Sequence, residues 1–359
     1  MAEIGDISVS AYDIPTETPE SDGTASWSKT TLVVVELEAG AWRGIGYTYA
    51  DAASARVVRD TLAPVVQGLS PFDTRRIYAE ACRAVRNHGR GGASAMAISA
   101  LDVVVWDLKA KMLDLPLSRL LGMVRREVPA YGSGGFTSAS ESELAEQLGH
   151  WADQGFSSVK MKVGREPARD LDRVRAARKA IGRGCALFVD ANGAYGRKQA
   201  IHMGLEFAEQ GVSWFEEPVV KTDLDGLRLV RDAVPMEVTG GEYAYEPFDV
   251  LQLLPVLDVL QVDATRCGGI TGFLDAHALA QAHHLPMSSH CAPALHVALG
   301  CALPAVRHIE WFLDHQRIER MLFEGAPEPD RGVLRPDLSR AGLGVTFRRE
   351  DAERFGAQI

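Results

Sequence analysis

The stretch "SSVKMKVG" (157–164) decides the fold. Val159, Met161 and Val163 alternate with Lys160 and Lys162, and a glycine closes the run. A period of two predicts a strand with its apolar side chains on one face and both lysines on the other. Similar short runs recur along the chain. "VPAYGS" (128–133) precedes this one; "CALFVDANG" (185–193), "VSWFEEP" (212–218), "MEVTGGE" (236–242), "VLQVDATRCGG" (259–269), "LPMSSH" (285–290) and "HIEWF" (308–312) follow. Segments of helical period separate them. Strands alternating with helices imply a parallel sheet. Eight such units in about 200 residues imply a closed barrel, compact against the roughly 250 residues typical of the class. A closed barrel has no edge strand, so the two lysines are not surface side chains reaching for water; they face the inside.

Upstream, "ISVSAYDI" (7–14) and "TTLVVVELEAG" (30–40) read as strands. The polar "PTETPESDGTASWSK" (15–29) between them reads as a long loop, the kind that often serves as a lid. From Asp51 to Leu121 the pattern is helical, most clearly in "SAMAISALDVVVWDLKAKML" (94–113). We therefore expect an N-terminal α+β domain over 1–125 and the barrel over 126–321. The Pro- and Gly-rich tail, 322–359, is expected to return to the first domain.

The chain carries a formal net charge of −10 and no Lys/Arg-rich run, which argues against a nucleic-acid partner. Its five cysteines include no C-x-x-C, so neither a disulfide framework nor a structural zinc site is expected, and free thiols fit a reducing cytoplasm. The N-terminus lacks the pattern of a secretory leader, and no apolar run reaches the roughly 18 residues of a membrane span. The clusters "GRGGAS" (89–94) and "YGSGGF" (131–136) lack the residues of a phosphate-binding loop and read as turns or close packing.

In a barrel, chemistry gathers where the strands end. Those ends carry Lys160 and Lys162, Asp190 and Asn192, Glu216, Glu242, Asp263, His290 and Glu310. Asp190, Glu216 and Glu242 stand each 26 residues after the one before (216 − 190 and 242 − 216), one βα unit per interval. Three converging carboxylates repel one another unless they take up protons or a cation. An all-oxygen donor set favours Mg²⁺. Glu216 and Glu217 are neighbours, so only one faces the axis, and spacing alone does not choose between them. The lysines beside the acids suit an anionic substrate. One of them can act as a base if the other ammonium lowers its pKa. Asp263 precedes His290 by one further unit, and such an Asp fixes the imidazole tautomer and raises its basicity. A base on each side of a substrate can remove a proton of either stereochemistry, or remove one and deliver another.

The motifs "VKMKVG" (159–164), "VDANGAY" (189–195), "FEEP" (215–218), "GGE" (240–242), "QVDATRCGGITG" (261–272) and "PMSSH" (286–290) resemble those of the enolase superfamily. Within it the chain is similar to the mandelate racemase subgroup, over nearly its whole length. The superfamily is a standard case of a Lys or His base working with Mg²⁺. The resemblance implies an α/β fold: a modified TIM barrel, (β/α)7β, with an N-terminal α+β capping domain. It implies Asp190, Glu216 and Glu242 as Mg²⁺ ligands, choosing Glu216 over Glu217. Lys162 would be one base and the His290–Asp263 pair the other, with Lys160 on the substrate carboxylate. Glu310, protonated, would hydrogen-bond the developing enediolate, and Asn192 would touch substrate. A homo-oligomer, dimer to octamer, is also implied.

The expected partner is a small-molecule carboxylate. Specificity is expected from residues 16–28 with Trp27 and from "YTYADA" (47–52) with Tyr47 and Tyr49. The polar first loop suits a polyhydroxy acid, whereas Trp27 argues for an aryl one. The favoured reaction is dehydration of an acid sugar. The alternatives are racemisation, epimerisation or cycloisomerisation of a similar acid. A non-catalytic binding protein is the remaining rival, and an incomplete ligand set would be its mark.

Overall fold

The computed structural model describes residues 2–359. Three antiparallel strands, β1 (Ile7–Ser21), β2 (Ser26–Ala39) and β3 (Trp42–Tyr49), form the N-terminal sheet in that order. In β2, Leu32 through Val35, with Leu37 and Ala39, are all buried, as a central strand covered on both faces requires. The helix Ala93–Met112 packs on β2 and β3 and is buried on most sides, which accounts for its nearly unbroken apolar sequence. Among the described residues no helix is long and apolar enough to cross a membrane.

The expected loop over 15–29 is instead the far end of a β-hairpin. Strand β1 continues to Ser21, β2 begins at Ser26, and the ladder is interrupted only between Pro15 and Glu20. Pro15 and Pro19 made the stretch read as a loop. They are tolerated because β1 is an edge strand, where a missing N–H removes no essential ladder bond. Asp22 closes the turn by accepting from the N–H groups of Thr24 and Ala25 at 2.7 and 2.6 Å. Gly23 rests on the barrel mouth so closely that a Cβ there would lie 2.3 Å from the Ala191 carbonyl oxygen.

Eight parallel strands follow: β4 (Val128–Ser133), β5 (Ser158–Lys162), β6 (Ala186–Asp190), β7 (Val212–Glu216), β8 (Glu237–Gly240), β9 (Val259–Val262), β10 (Met287–Ser289) and β11 (Val306–Phe312). Each pairs with the next, and β11 pairs back to β4, closing the barrel. All eight expected runs are present. Val159, Met161 and Val163 join Leu148 and Val174 in the layer between strands and helices. Lys160 and Lys162 point the other way, into the barrel. Below them lies an aromatic plug. Phe188 stacks on Trp214 with centroids 5.0 Å apart, and the Tyr131 ring lies 5.4 Å from Phe188. Lys160 Nζ sits 5.3 Å above the Tyr131 ring, so the plug is also the floor of the charged layer.

The tail runs back along the molecule. Residues Val333–Leu334 pair with β4, Arg349 forms an ion pair with Glu36, and the Ala357 N–H donates to the Ala11 carbonyl at 2.8 Å.

Candidate active site

A cavity of about 420 Å³ lies between the hairpin of the N-terminal sheet and the C-terminal ends of the strands. Trp27, Tyr49, Lys162, Asn192, Glu242 and His290 are among its walls. At its base, Asp190, Glu216 and Glu242 each present a carboxylate oxygen, all within 4.8 Å of one another and all from buried residues. Burial, then the charge of Asp190, pushes Glu216 up to about 8. Glu242 goes the other way: burial opposes its charge, but His290 and Arg266 pull it down to about 2. Glu242 Oε2 is buried without a hydrogen-bond partner. An all-oxygen trio, one of whose buried oxygens lacks a hydrogen-bond donor, fits a hard divalent cation.

Lys160 is wholly buried and reaches both Glu216 oxygens at 2.8 and 2.7 Å, and Glu310 at 2.8 Å. Lys162 Nζ lies 2.5 Å from Asp190 Oδ2. Lys160 does pull the Lys162 amine down, as expected, but not to a net lowering. Burial and Lys160 work against its charge, while Asp190, Glu216 and Glu242 together hold the amine above its ordinary value. Glu310, expected protonated, is likewise held well below the usual carboxylate range. Burial opposes its charge, but Lys160, His290 and Lys162 together prevail, and the carboxylate accepts from the Ser133 hydroxyl at 2.6 Å and the Cys291 N–H at 2.7 Å.

His290 Nδ1 is 2.8 Å from Asp263 Oδ2. Burial opposes the charge of Asp263, but the hydrogen bond and charge of His290, together with Arg266, hold it below the normal range. An ionised carboxylate only accepts, so the ring donates from Nδ1 and turns Nε2 toward Glu242 Oε2, 3.3 Å away. Burial lowers the ring's basicity, yet Glu242, the hydrogen bond to Asp263 and Glu310 together raise His290. Asn192, with a left-handed backbone (φ 46°), donates its N–H to Asp190 at 2.8 Å and leaves its buried amide oxygen unpartnered beside the cavity.

Of the three specificity candidates, two line the cavity. Trp27 is edge-on to Phe136 and donates from Nε1 to Glu20 at 2.8 Å. Tyr49 stacks on His315 with centroids 3.4 Å apart. Tyr47 does not line the cavity. It lies on β3, where its ring is in the core and its hydroxyl donates to Glu319 at 2.8 Å. Alternation along the strand separates neighbours, but Tyr47 and Tyr49 share a side, and it is the position along the strand that puts only Tyr49 at the mouth.

Sequence reasoning missed Arg266, His315 and Cys291, all on the cavity wall. Arg266 Nη1 lies 3.2 Å from Glu242 and its Nε 3.6 Å from Asp263, tying together two acids of the site. Its place three residues after Asp263 was the available signal. His290 leads into a strained turn, with left-handed backbone at Cys291 (φ 51°) and Ala292 (φ 42°). Side chains from β11 and the helix Leu313–Leu322 hold that turn. Glu310 accepts from Cys291 N–H, His315 Nδ1 from Ala292 N–H at 3.3 Å, and Glu319 from Ala294 N–H at 2.9 Å.

Burial raises Glu319 to about 8 from 4.5, so the folded state keeps a proton that the unfolded chain has lost. Stability contributed by that proton falls as pH rises between these values. Glu319→Gln is neutral throughout. Denaturant titrations should therefore show the variant gaining on the wild type from pH 5 to pH 8; a constant difference across that range would remove this assignment.

Residues 6–122 match the N-terminal domain of mandelate racemase/muconate lactonizing enzyme, and residues 143–352 match the enolase C-terminal domain-like family. A mandelate racemase/muconate lactonizing enzyme-like protein from Rubrobacter xylanophilus is 47% identical, with TM-score 0.97 over 99% of this chain and 100% of that one. L-talarate/galactarate dehydratase of Salmonella typhimurium is 31% identical over 86% of this chain and 83% of its own length. Its structure liganded with Mg and L-lyxarohydroxamate superposes with TM-score 0.91, covering 99% of this chain and 93% of that one. The 3,6-anhydro-alpha-L-galactonate cycloisomerase of Streptomyces coelicolor is 32% identical over 96% of both chains. Matched in both its halves and superposable from end to end, the chain belongs to the mandelate racemase/muconate lactonizing enzyme family of the enolase superfamily.

Proposed function

We propose that the protein removes the α-proton of a carboxylate substrate with Mg²⁺ bound, and that the overall reaction is dehydration of an acid sugar. The observation that carries this is the placing of two unlike bases about one acid trio: Lys162 against Asp190, and His290 against Glu242. In this reading Asp190, Glu216 and Glu242 hold the cation, which supplies Lewis-acid stabilisation of a substrate carboxylate as its α-proton leaves. Lys160 binds the same carboxylate by charge. Glu310, ionised by Lys160 in the free protein, would take up a proton from solvent as an anionic substrate enters and then donate a hydrogen bond to it, leaving Lys160 charged. Lys162 takes the α-proton. His290, kept charged by Glu242 and oriented by Asp263, gives its proton to the departing β-hydroxyl. Asn192 and Tyr49 line the substrate's path, and Trp27 covers it.

The names of the relatives support this chemistry, and the Thr30, Thr31 and Asp22 lining beneath Trp27 suits a polyhydroxy chain. A complete set of acids and bases argues against a non-catalytic binding role. We further propose that residues 126–321 form the catalytic unit, capped by 1–125 and 322–359. The working form is taken to be a cytoplasmic homo-oligomer. Five free thiols suit the compartment, and exposed Leu229, Phe248 and Leu251 offer apolar surface to another copy.

The cycloisomerase relative, matched over 96% of both chains, favours isomerisation as the second reading. Incubation with Mg²⁺ and a panel of acid sugars and 2-hydroxy acids separates the two. A keto-acid product lighter than substrate by one water is the expected result. An unchanged mass with altered optical rotation would replace dehydration by racemisation, epimerisation or cycloisomerisation.

A further inference from the structure

Beside the acid trio, the same cavity holds donors of a different chemistry. His290, Cys291 and Glu310 each offer one ligand atom; these lie within 4.8 Å of one another, and all three residues are buried. The chain leaves β10 at Ser289, and with a left-handed backbone at Cys291 (φ 51°) both His290 and Cys291 line the cavity. Cys291 Sγ is 3.2 Å from His290 Nε2. Tetrahedral zinc, with nitrogen at about 2.0 Å and thiolate at about 2.3 Å, holds such a pair about 3.5 Å apart. The two donors are therefore already close to a ligating separation. Asp263 grips the other ring nitrogen at 2.8 Å, the arrangement that orients a metal-bound imidazole.

We propose that His290, Cys291 and Glu310 form a second cation site, selective for thiophilic ions such as Zn²⁺ and inhibitory when filled. Mg²⁺ prefers six oxygens and has little use for a thiol or an imidazole, whereas a nitrogen, sulfur and oxygen set suits zinc. On binding, the Cys291 S–H bond and the Nε2–H bond of charged His290 break, both protons leave to solvent, and a sulfur–zinc bond forms. Neutral His290 contributes the Nε2 lone pair and Glu310 a carboxylate oxygen. The fourth position opens on the cavity. The ion thereby removes the lone pair that His290 would use as a base and draws Glu310 from Lys160. Only this inhibitory consequence rests on the proposed function; the binding does not.

Co²⁺ is the probe, added to wild-type protein saturated with Mg²⁺. The expected result is one equivalent bound with intense thiolate-to-cobalt charge-transfer absorption and the visible bands of a four-coordinate ion, both bleached by Zn²⁺. The absorption should vanish in Cys291→Ser, with folding checked by circular dichroism, and persist in Asp190→Asn, which removes an oxygen of the acid trio and leaves His290, Cys291 and Glu310 unaltered. Wild-type protein showing only the weak spectrum of six-coordinate cobalt would overturn the site, as would a charge-transfer band surviving in Cys291→Ser. With an active substrate in hand, Zn²⁺ inhibition should weaken about 10- to 100-fold in Cys291→Ser. A cobalt–thiolate band without zinc inhibition would leave the site standing, overturn its inhibitory role and count against His290 as a base.

Discussion

Lys162→Ala and His290→Asn should each lower turnover by about 10²–10⁴-fold, the usual contribution of one positioned acid or base. The two losses differ in kind. In Lys162→Ala the His290–Asp263 pair survives, so α-proton exchange with D₂O should continue on one face of the substrate; in His290→Asn it should continue on the other. The double variant should exchange neither. The 2.5 Å contact from Lys162 to Asp190 explains how this amine can be strongly basic in the free protein and still serve as a base. A divalent cation on Asp190 would draw away the charge that holds the lysine's proton. Asp263→Asn should cripple the His290 side alone, because the ring loses the acceptor on Nδ1 that fixes its tautomer. Two groups needed in opposite protonation states give a bell-shaped pH profile of kcat/KM. Undiminished exchange in the double variant would end the two-base reading.

Metal removal should abolish activity outright, with Mg²⁺ restoring it. Lewis-acid stabilisation of a developing enediolate is worth several kcal/mol, and each 1.4 kcal/mol is about a factor of ten in rate. Asp190→Asn and Glu242→Gln should lose Mg²⁺ affinity by calorimetry, since each removes one of three oxygens lying within 4.8 Å of one another. Binding should also stabilise the fold. A ligand at 100 times its Kd that binds only the native state adds about 2.7 kcal/mol. In wild-type protein the ion would also offset the burial and the Asp190 charge that push Glu216 up to about 8, so stabilisation by Mg²⁺ should be greater at pH 8 than at pH 5.5. Full turnover after chelation, or a thermal midpoint indifferent to Mg²⁺, would contradict the assignment.

Much of this was legible in the sequence. The alternation of Val159, Met161 and Val163 with the two lysines fixes which face each occupies, because a pleated strand has a period of two. The recurrence of Asp190, Glu216 and Glu242 at the length of one βα unit placed them on neighbouring strands, and the barrel does bring them together. Such features are encoded locally and repeat. Three kinds of feature were not encoded in that way. The stretch 15–29 has the composition of a loop but is mostly strand, because an edge strand accepts prolines and polar side chains that a central strand would reject. Tyr47 and Tyr49 share one face of β3, yet their positions along the strand in the folded molecule place one hydroxyl on Glu319 in the core and the other ring at the cavity. The charge states of Lys162 and Glu310 depend on partners 28 and 150 residues away, Asp190 and Lys160. The sequence by itself determined the period, and with it the barrel and the ring of acids and bases at its mouth. Only the tertiary structure decided which charges meet and which side chains reach the cavity, because Coulombic and packing energies depend on distance through space and carry no signature along the chain.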